Sequence, residues 1–224
     1  MYSKRTNSEL LGILEQYDLL TFESQLNLRD EFKKRKIVVD TSDLEMSISQ
    51  KLSEIRDLFY LKDFGFEADR TADGGLTITR TKKAMLTDVV ALFMGLLVFL
   101  IGIYGCIDLV MTFINGEELD VFTLAFKFAM AALLFIGLGF FSGLKRLFDY
   151  AGFKLSNLNG TIILKKRFDV KLEEIKANTS DLFLETDEDT LFLKLANRTI
   201  FTSNADNLIQ SMTLKELTKE LKKG

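Results

Sequence analysis

The stretch VVALFMGLLVFLIGIYGCI, residues 89–107, decides the architecture of this chain because it contains no charged residue. A second apolar stretch, VFTLAFKFAMAALLFIGLGFFSGL, follows at residues 121–144. A helix needs about 20 mostly apolar residues to cross a bilayer, and both stretches have that length. The sequence therefore predicts transmembrane helices at 84–114 and 121–144, joined by a short acidic external turn at 115–120.

Basic residues flank only one end of this predicted hairpin. They form two groups, Arg80, Lys82 and Lys83 before the first stretch and Lys145 and Arg146 after the second. Loops that carry Lys and Arg stay on the cytoplasmic side of a membrane. The pattern therefore predicts that both termini are cytoplasmic and that only the acidic turn reaches the other side.

The amino-acid composition excludes most catalytic chemistry. The 224 residues include no His, no Trp, no Pro and one Cys. Zinc, haem and iron–sulfur sites then lack their usual ligands, and neither a Ser-His-Asp nor a Cys-His catalytic group can form. We therefore expect no metal, no cofactor and no enzymatic activity. The acidic cluster Asp187-Glu188-Asp189 could hold a divalent ion, but its setting favours a solvated turn between strands.

Each apolar stretch carries a row of small residues at helical spacing. Small residues let two helix backbones approach closely, which drives helix association in lipid. The rows are Ala91, Gly95, Gly102 and Cys106 in the first stretch, and Ala125, Ala129, Ala132, Gly139 and Gly143 in the second. In an antiparallel hairpin they match in depth, which predicts the pairs Ala91–Gly143, Gly95–Gly139, Gly102–Ala132 and Cys106–Ala129. The alternative is that the rows face neighbouring subunits.

Two intramembrane charges, Asp108 and Lys127, are expected at the same depth of the hairpin. Such charges usually pair or mark a function. On a helical wheel, however, Lys127 points away from the predicted packed face. Two outcomes remain open: Lys127 extends outward to the lipid headgroups, or it meets an acidic group of another subunit or partner. Asp88, at the cytoplasmic boundary, is expected to be solvated.

The polar part at residues 1–83 predicts a helical region followed by a β-hairpin. Apolar residues recur there at helical spacing, and two short alternating segments follow. The basic run at 33–36 favours a solvated helix end, where cations complement the helix dipole, over a nucleic-acid or lipid-headgroup site. A net charge of −3 gives no reason to expect a nucleic-acid partner. The predicted helices are 9–17, 22–36 and 43–62, and the strands 66–71 and 76–81 flank a turn at 72–75.

The polar part at residues 145–224 predicts an antiparallel β domain that ends in a helix. The dipeptide Asn159-Gly160 is a strong hairpin signal. Thr213 and Glu216 form a capping-box pattern that predicts the start of the last helix. The predicted strands are 153–158, 161–168, 170–177, 181–185, 191–196 and 198–203.

This order of elements resembles a pleckstrin-homology-like (PH-like) domain of the bacterial, membrane-tethered kind. The resemblance rests on NGTIIL at 159–164, VKLEEI at 170–175 and the terminal helix. It implies a scaffold or adaptor role, a bacterial inner membrane and no catalytic residues. In some eukaryotic relatives, basic residues near the first hairpin bind phosphoinositides. Lys165, Lys166 and Arg167 lie in that neighbourhood, which suggests headgroup contact, with a solvated strand end as the alternative.

The sequence thus predicts an α+β membrane protein. Its transmembrane hairpin is flanked by a helical N-terminal domain with a β-hairpin and by a C-terminal antiparallel β domain that ends in a helix. The favoured function is a non-enzymatic scaffold or adaptor that presents two cytoplasmic modules. Its partners would be membrane lipid and either a protein or further copies of the chain. The alternative is a subunit of a small oligomeric pore or transport assembly, with Asp108 and Lys127 lining or gating the path.

Overall fold

The computed structural model describes residues 1–71, 75–116, 120–168 and 171–223, and the protein is a mixed α+β chain, as predicted. Residues 72–74, 117–119 and Val170, which belong to a predicted hairpin turn, the external turn and a strand start, lie outside the described residues. The helices are α1 (Asn7–Leu14), α2 (Phe22–Arg35), α3 (Ser42–Arg56), α4 (Lys82–Asn115), α5 (Val121–Leu138), α6 (Phe140–Tyr150) and α7 (Leu208–Lys222). The strands are β1 (Phe66–Arg70), β2 (Leu76–Arg80), β3 (Lys154–Leu158), β4 (Thr161–Phe168), β5 (Lys171–Asn178), β6 (Leu182–Asp187), β7 (Thr190–Leu195) and β8 (Arg198–Asn204).

Side-chain caps fix where several helices begin. The hydroxyl of Thr21 accepts a hydrogen bond from the backbone N–H of Ser24, and Thr81 caps α4 in the same way. The last helix starts earlier than predicted, because Asn207 caps it by accepting from the N–H of Gln210. Thr213 therefore lies inside α7, where its hydroxyl donates to the carbonyl of Ile209. Asn is among the best N-cap residues, which explains the earlier start.

Residues 1–78, 156–163 and 176–224 form one compact unit. In this unit, Leu208, Ile209 and Met212 of α7 pack against the core that α1, α2 and α3 form. The prediction assigned 1–83 and 145–224 to separate domains, whereas parts of both ranges belong to this one unit. The apolar face of the C-terminal helix, which is distant in the sequence, completes the core of the three N-terminal helices.

The strands form two sheets, one with the order β1-β2-β3-β4-β5 and one with the order β6-β7-β8. In the three-stranded antiparallel sheet, Leu182 lies opposite Leu195 and Leu191 lies opposite Ser203. Alternate residues of β7 are buried, as expected for a strand with one face on a core. The helix α7 contacts all three strands of this sheet.

Some turns between strands contain residues with positive φ angles. Asn159 and Gly160 join β3 to β4 with φ angles of 50° and 77°, so the predicted hairpin turn is confirmed. Ala196, which follows β7, also has a positive φ, 50°. Residues other than Gly, Asn and Asp rarely adopt this left-handed conformation.

Replacing Ala196 by glycine is therefore expected to stabilise the protein by about 1 kcal/mol, because glycine has no Cβ to clash in the left-handed region. Thermal unfolding followed by circular dichroism would measure the change. The matched control is Ala205→Gly, which makes the same change at an ordinary φ and should destabilise the protein. Equal losses in both variants would contradict the expected relief of strain.

Residues 79–155 and 164–175 form a second compact unit, which contains α4, α5 and α6. The helix α4 has 34 residues, and α5 and α6 follow each other with a break at Gly139. Both apolar segments are long enough to cross a membrane, and only 11% of each apolar window is buried within the structure. Their large apolar side chains therefore lie mostly on the outside of the hairpin.

Candidate functional site

The helices α4 and α5 are in backbone contact at three glycines, Gly102 and Gly105 of α4 and Gly137 of α5. A Cβ atom placed on Gly102 would lie 2.1 Å from the backbone nitrogen of Leu134. One on Gly105 would lie 2.6 Å from the carbonyl carbon of Met130, and one on Gly137 would lie 2.5 Å from Cα of Phe99. Distances this short leave room for no side chain, so these glycines set the closest approach of the hairpin.

The first predicted row of small residues agrees in part with this contact face. Gly102 is buried, and the thiol of Cys106 lies 3.8 Å from the carbonyl oxygen of Ala131. Ala91 is exposed and Gly95 is half-buried. Cys106 therefore contacts Ala131 rather than the predicted Ala129.

The second predicted row differs from the structure. Ala125, Ala129, Ala132 and Gly139 are exposed, and a Cβ on Gly143 would meet nothing within 4 Å. The residues of α5 that do contact α4 include Met130, Ala131 and Gly137. They lie roughly half a helix turn away from that row. The reason is that each contact glycine faces a large residue of the other helix, Gly102 facing Leu134, Gly105 facing Met130 and Gly137 facing Phe99, so a close contact needs a small residue on one helix only.

This rotation brings Lys127 onto the packed face, next to Asp108. The Lys127 ammonium lies 3.1 Å from the Asp108 carboxylate and donates a hydrogen bond of 2.6 Å to the hydroxyl of Thr112. Thr112 is buried and donates in turn to the backbone carbonyl of Asp108, at 2.8 Å. The structure thus places both charges in one cluster between the two helices. Lys127 neither extends outward nor needs an acidic group of another subunit, the two outcomes that the sequence left open, because its partner is Asp108 of the same chain.

Asp88, near the start of α4, is buried and paired. Its side chain is 11% exposed, forms a close ion pair with Arg80, and lies 3.6 Å from the guanidinium of Arg146. The expectation that Asp88 is solvated was wrong. Two of the basic residues that flank the apolar stretches converge on this carboxylate, because the end of β2, α4 and α6 meet there.

Tyr150, the last residue of α6, lies beside the Asp88 cluster, which consists of Asp88, Arg80 and Arg146. The Arg80 guanidinium and the Lys166 ammonium each lie 4.9 Å from the centre of its ring. Burial lowers the pKa of the Lys166 ammonium, and the Asp149 carboxylate opposes that shift. Two cations therefore contact the Tyr150 ring in a partly desolvated setting, where cation–π contacts are strongest.

The three basic residues considered for headgroup contact all have partners within the chain. Lys165 forms an ion pair of 2.9 Å with Glu174, and Arg167 donates to the carbonyl of Ala151 at 3.3 Å. Lys166 contacts Tyr150, as above. A lipid headgroup would have to compete with these contacts.

The basic run at residues 33–36 is also engaged. Lys33 pairs with Glu45 at 3.0 Å. The guanidinium of Arg35 pairs with Glu31 at 2.6 Å and donates to backbone carbonyls of the first residues, Tyr2, Ser3 and Arg5. Arg35 thus holds the N-terminal segment against α2, a role that the sequence pattern does not indicate.

The acidic cluster Asp187-Glu188-Asp189 forms an exposed turn between β6 and β7. Within the described ranges, no three side chains of His, Cys, Asp or Glu are arranged to hold a metal ion.

Three residues of the helix contact, Gly105, Gly137 and Thr112, were not predicted from the sequence. A search for glycines one helix turn away from a charged residue would have found Gly105, since Gly105 and Asp108 are separated by one helix turn. Comparison of the chain with protein-family models, with curated proteins and with solved structures gives no match.

Proposed function

We propose that this protein is an integral membrane protein that acts as a non-enzymatic scaffold or adaptor at the inner face of a bacterial membrane. Its hairpin of α4, α5 and α6 would span the bilayer twice, with both termini in the cytoplasm. The C-terminal strands and α7 would form the PH-like part that binds a protein partner. The observation that carries the proposal is the pairing of Asp108 with Lys127 inside the hairpin.

This pairing favours an anchor over a channel. A pore-lining charge must face water or a permeating ion. Here the Lys127 ammonium is directed at Asp108 and Thr112, and its side chain is only 16% exposed. The outer surface of the hairpin is mostly large and apolar, which suits contact with lipid tails on all sides.

The basic residues support the proposed orientation. Lys82, Lys83 and Lys145 lie at the same end of the hairpin as the Asp88 cluster, and Tyr150 also lies there. Lys and Arg are enriched on the cytoplasmic side of membranes, and Tyr at the interface. This end of the hairpin therefore suits the cytoplasmic headgroup layer.

The exposed small residues of α5 favour a second candidate, a homo-oligomeric pore or transport assembly. Ala125, Ala129 and Ala132 would let another helix approach α5 closely. Crosslinking in cells, followed by gentle extraction and mass analysis, distinguishes the two functions. A different protein at a fixed ratio supports the scaffold, whereas a homo-oligomer of defined size that carries ions supports the pore.

Replacing Lys127 by methionine is expected to lower the free energy of unfolding by about 1–2 kcal/mol, the upper range for a polar contact between membrane helices. The change leaves Asp108 and Thr112 without the ammonium. The double variant Lys127→Met/Asp108→Leu should recover most of this loss, because it removes both charges. Unfolding in lipid micelles would measure stability.

The same variants test the pore. As a scaffold, the unmodified protein in vesicles should pass no more ions than empty vesicles do, and neither variant should change this. Ion flux that is present in the unmodified protein and absent in the single variant would contradict the scaffold proposal.

A further inference from the structure

The segment at residues 37–40, between α2 and α3, has the side-chain pattern of a strand but belongs to neither sheet. Ile37 and Val39 are half-buried and pack against the core that α1, α2 and α3 form, whereas Val38 and Asp40 are exposed. Side chains that alternate in this way indicate an extended backbone. Ile and Val are also among the residues most enriched in strands.

Most backbone groups of this segment are unpaired. The N–H of Ile37 donates to the carbonyl of Phe32 at 3.2 Å, which closes the end of α2. The N–H groups of Val38, Val39 and Asp40 and the carbonyls of residues 37–39 have no hydrogen-bond partner in the part of the chain that the structure describes. A row of unpaired groups along an extended segment is a template for a further strand.

A groove of about 320 Å³ lies beside this segment. Residues 37–39 line it together with residues from α2, its cap and the start of α3, namely Arg29, Phe32, Lys33, Lys36, Thr41 and Glu45. The groove thus offers an added strand both backbone groups and apolar side chains. In β-strand addition, the backbone hydrogen bonds supply affinity and the side-chain contacts supply specificity.

The charges that line the groove favour an acidic partner. Three cations, Arg29, Lys33 and Lys36, face one carboxylate, that of Glu45. Lys33 pairs with Glu45 at 3.0 Å, and Arg29 pairs at 2.9 Å with Asp30, which is not a lining residue. The Lys36 ammonium has no ion-pair partner among the described residues. A carboxylate in the groove would therefore find Lys36 available, whereas a basic segment would be repelled.

We propose that this groove binds an acidic, extended segment of a partner protein, which adds as a strand to residues 37–40. The backbone of the added segment would bond to the unpaired groups, a carboxylate would pair with Lys36, and an apolar side chain would contact Val38. The groove lies outside the PH-like part, to which the proposed function assigns the partner. Peptide binding here and the scaffold function can therefore fail separately.

Hydrogen exchange of the full chain in detergent tests the proposal. The probe is a synthetic hexapeptide of alternating Glu and Val, and the control is a hexapeptide of alternating Lys and Val. We expect a saturating concentration of the Glu–Val peptide to slow the exchange of the amides of residues 38–40 by about tenfold, since these amides gain hydrogen bonds. No slowing by the Glu–Val peptide, or equal slowing by both peptides, would overturn the proposal.

Anionic lipid is the competing occupant, because an exposed Val38 beside Lys36 could also contact a membrane surface. The same exchange is measured for the full chain in phosphatidylglycerol vesicles without peptide. We expect the amides of residues 38–40 to exchange there as fast as in detergent. Slow exchange in these vesicles would show that lipid covers the segment and that the peptide proposal is wrong.

A charge reversal at Lys36 locates the site. Lys36→Glu should weaken binding of the Glu–Val peptide by about tenfold, the effect of losing a charge-assisted contact. The matched control is Lys34→Glu, which makes the same change at an exposed residue of the same helix end that does not line the groove. Fluorescence anisotropy of labelled peptide measures the affinity, and circular dichroism checks folding. If Lys34→Glu weakens binding as much, the attraction is a general charge effect and the proposed site is wrong.

Discussion

Replacing Gly102 by alanine is expected to lower the free energy of unfolding of the hairpin by about 3 kcal/mol, at the upper end of the cost of overpacking. The new Cβ would lie 2.1 Å from the backbone nitrogen of Leu134, and a backbone atom cannot rotate away as a side chain can. The helices would have to separate. Thermal unfolding in micelles, followed by circular dichroism, would measure the loss.

The control is the same substitution at Gly143, where a Cβ would meet nothing within 4 Å. Alanine is a better helix former than glycine, so Gly143→Ala should leave stability unchanged or raise it by up to about 1 kcal/mol. The two substitutions therefore differ in sign. A large loss at Gly143 with none at Gly102 would mean that the small residues of the second row make the hairpin contact after all.

Replacing Asp88 by alanine is expected to cost about 3–5 kcal/mol, as for other buried ion pairs that lose one partner. The guanidinium of Arg80, which is 8% exposed, would lose its carboxylate, and Arg146 would remain beside it as a like charge. The packing at the basic end of the hairpin should loosen. Limited proteolysis near residue 80, together with thermal unfolding, would detect this change.

Glu174→Ala is the matched control for Asp88. Glu174 also forms an ion pair in this unit, but its side chain is 40% exposed and that of its partner Lys165 is 44% exposed. An exposed pair contributes about 0–1 kcal/mol, so this variant should be close to the unmodified protein. If Asp88→Ala were no more destabilising than Glu174→Ala, the carboxylate would behave as a solvated group.

Several properties of the protein follow from the sequence alone because they depend on neighbouring residues. The length and hydropathy of residues 89–107 and 121–144 predict long apolar helices, since each peptide group is satisfied within its own helix. The Asn159-Gly160 turn follows from the low cost of positive φ at these residues. The order of strands and helix after α6 follows from local alternation and turn signals.

Other properties were decided only by tertiary structure. The packed face of α5 depends on which residues α4 presents, and two faces half a turn apart look equally suitable when only small residues are counted. Because the observed face of α5 packs against α4, Lys127 pairs with Asp108 and does not point outward. Likewise, Asp88 is buried because Arg146, which is distant in the sequence, converges on it together with Arg80. Hydropathy and helical periodicity are local and can be read from the chain, whereas the burial of a charge depends on which partners folding brings within reach.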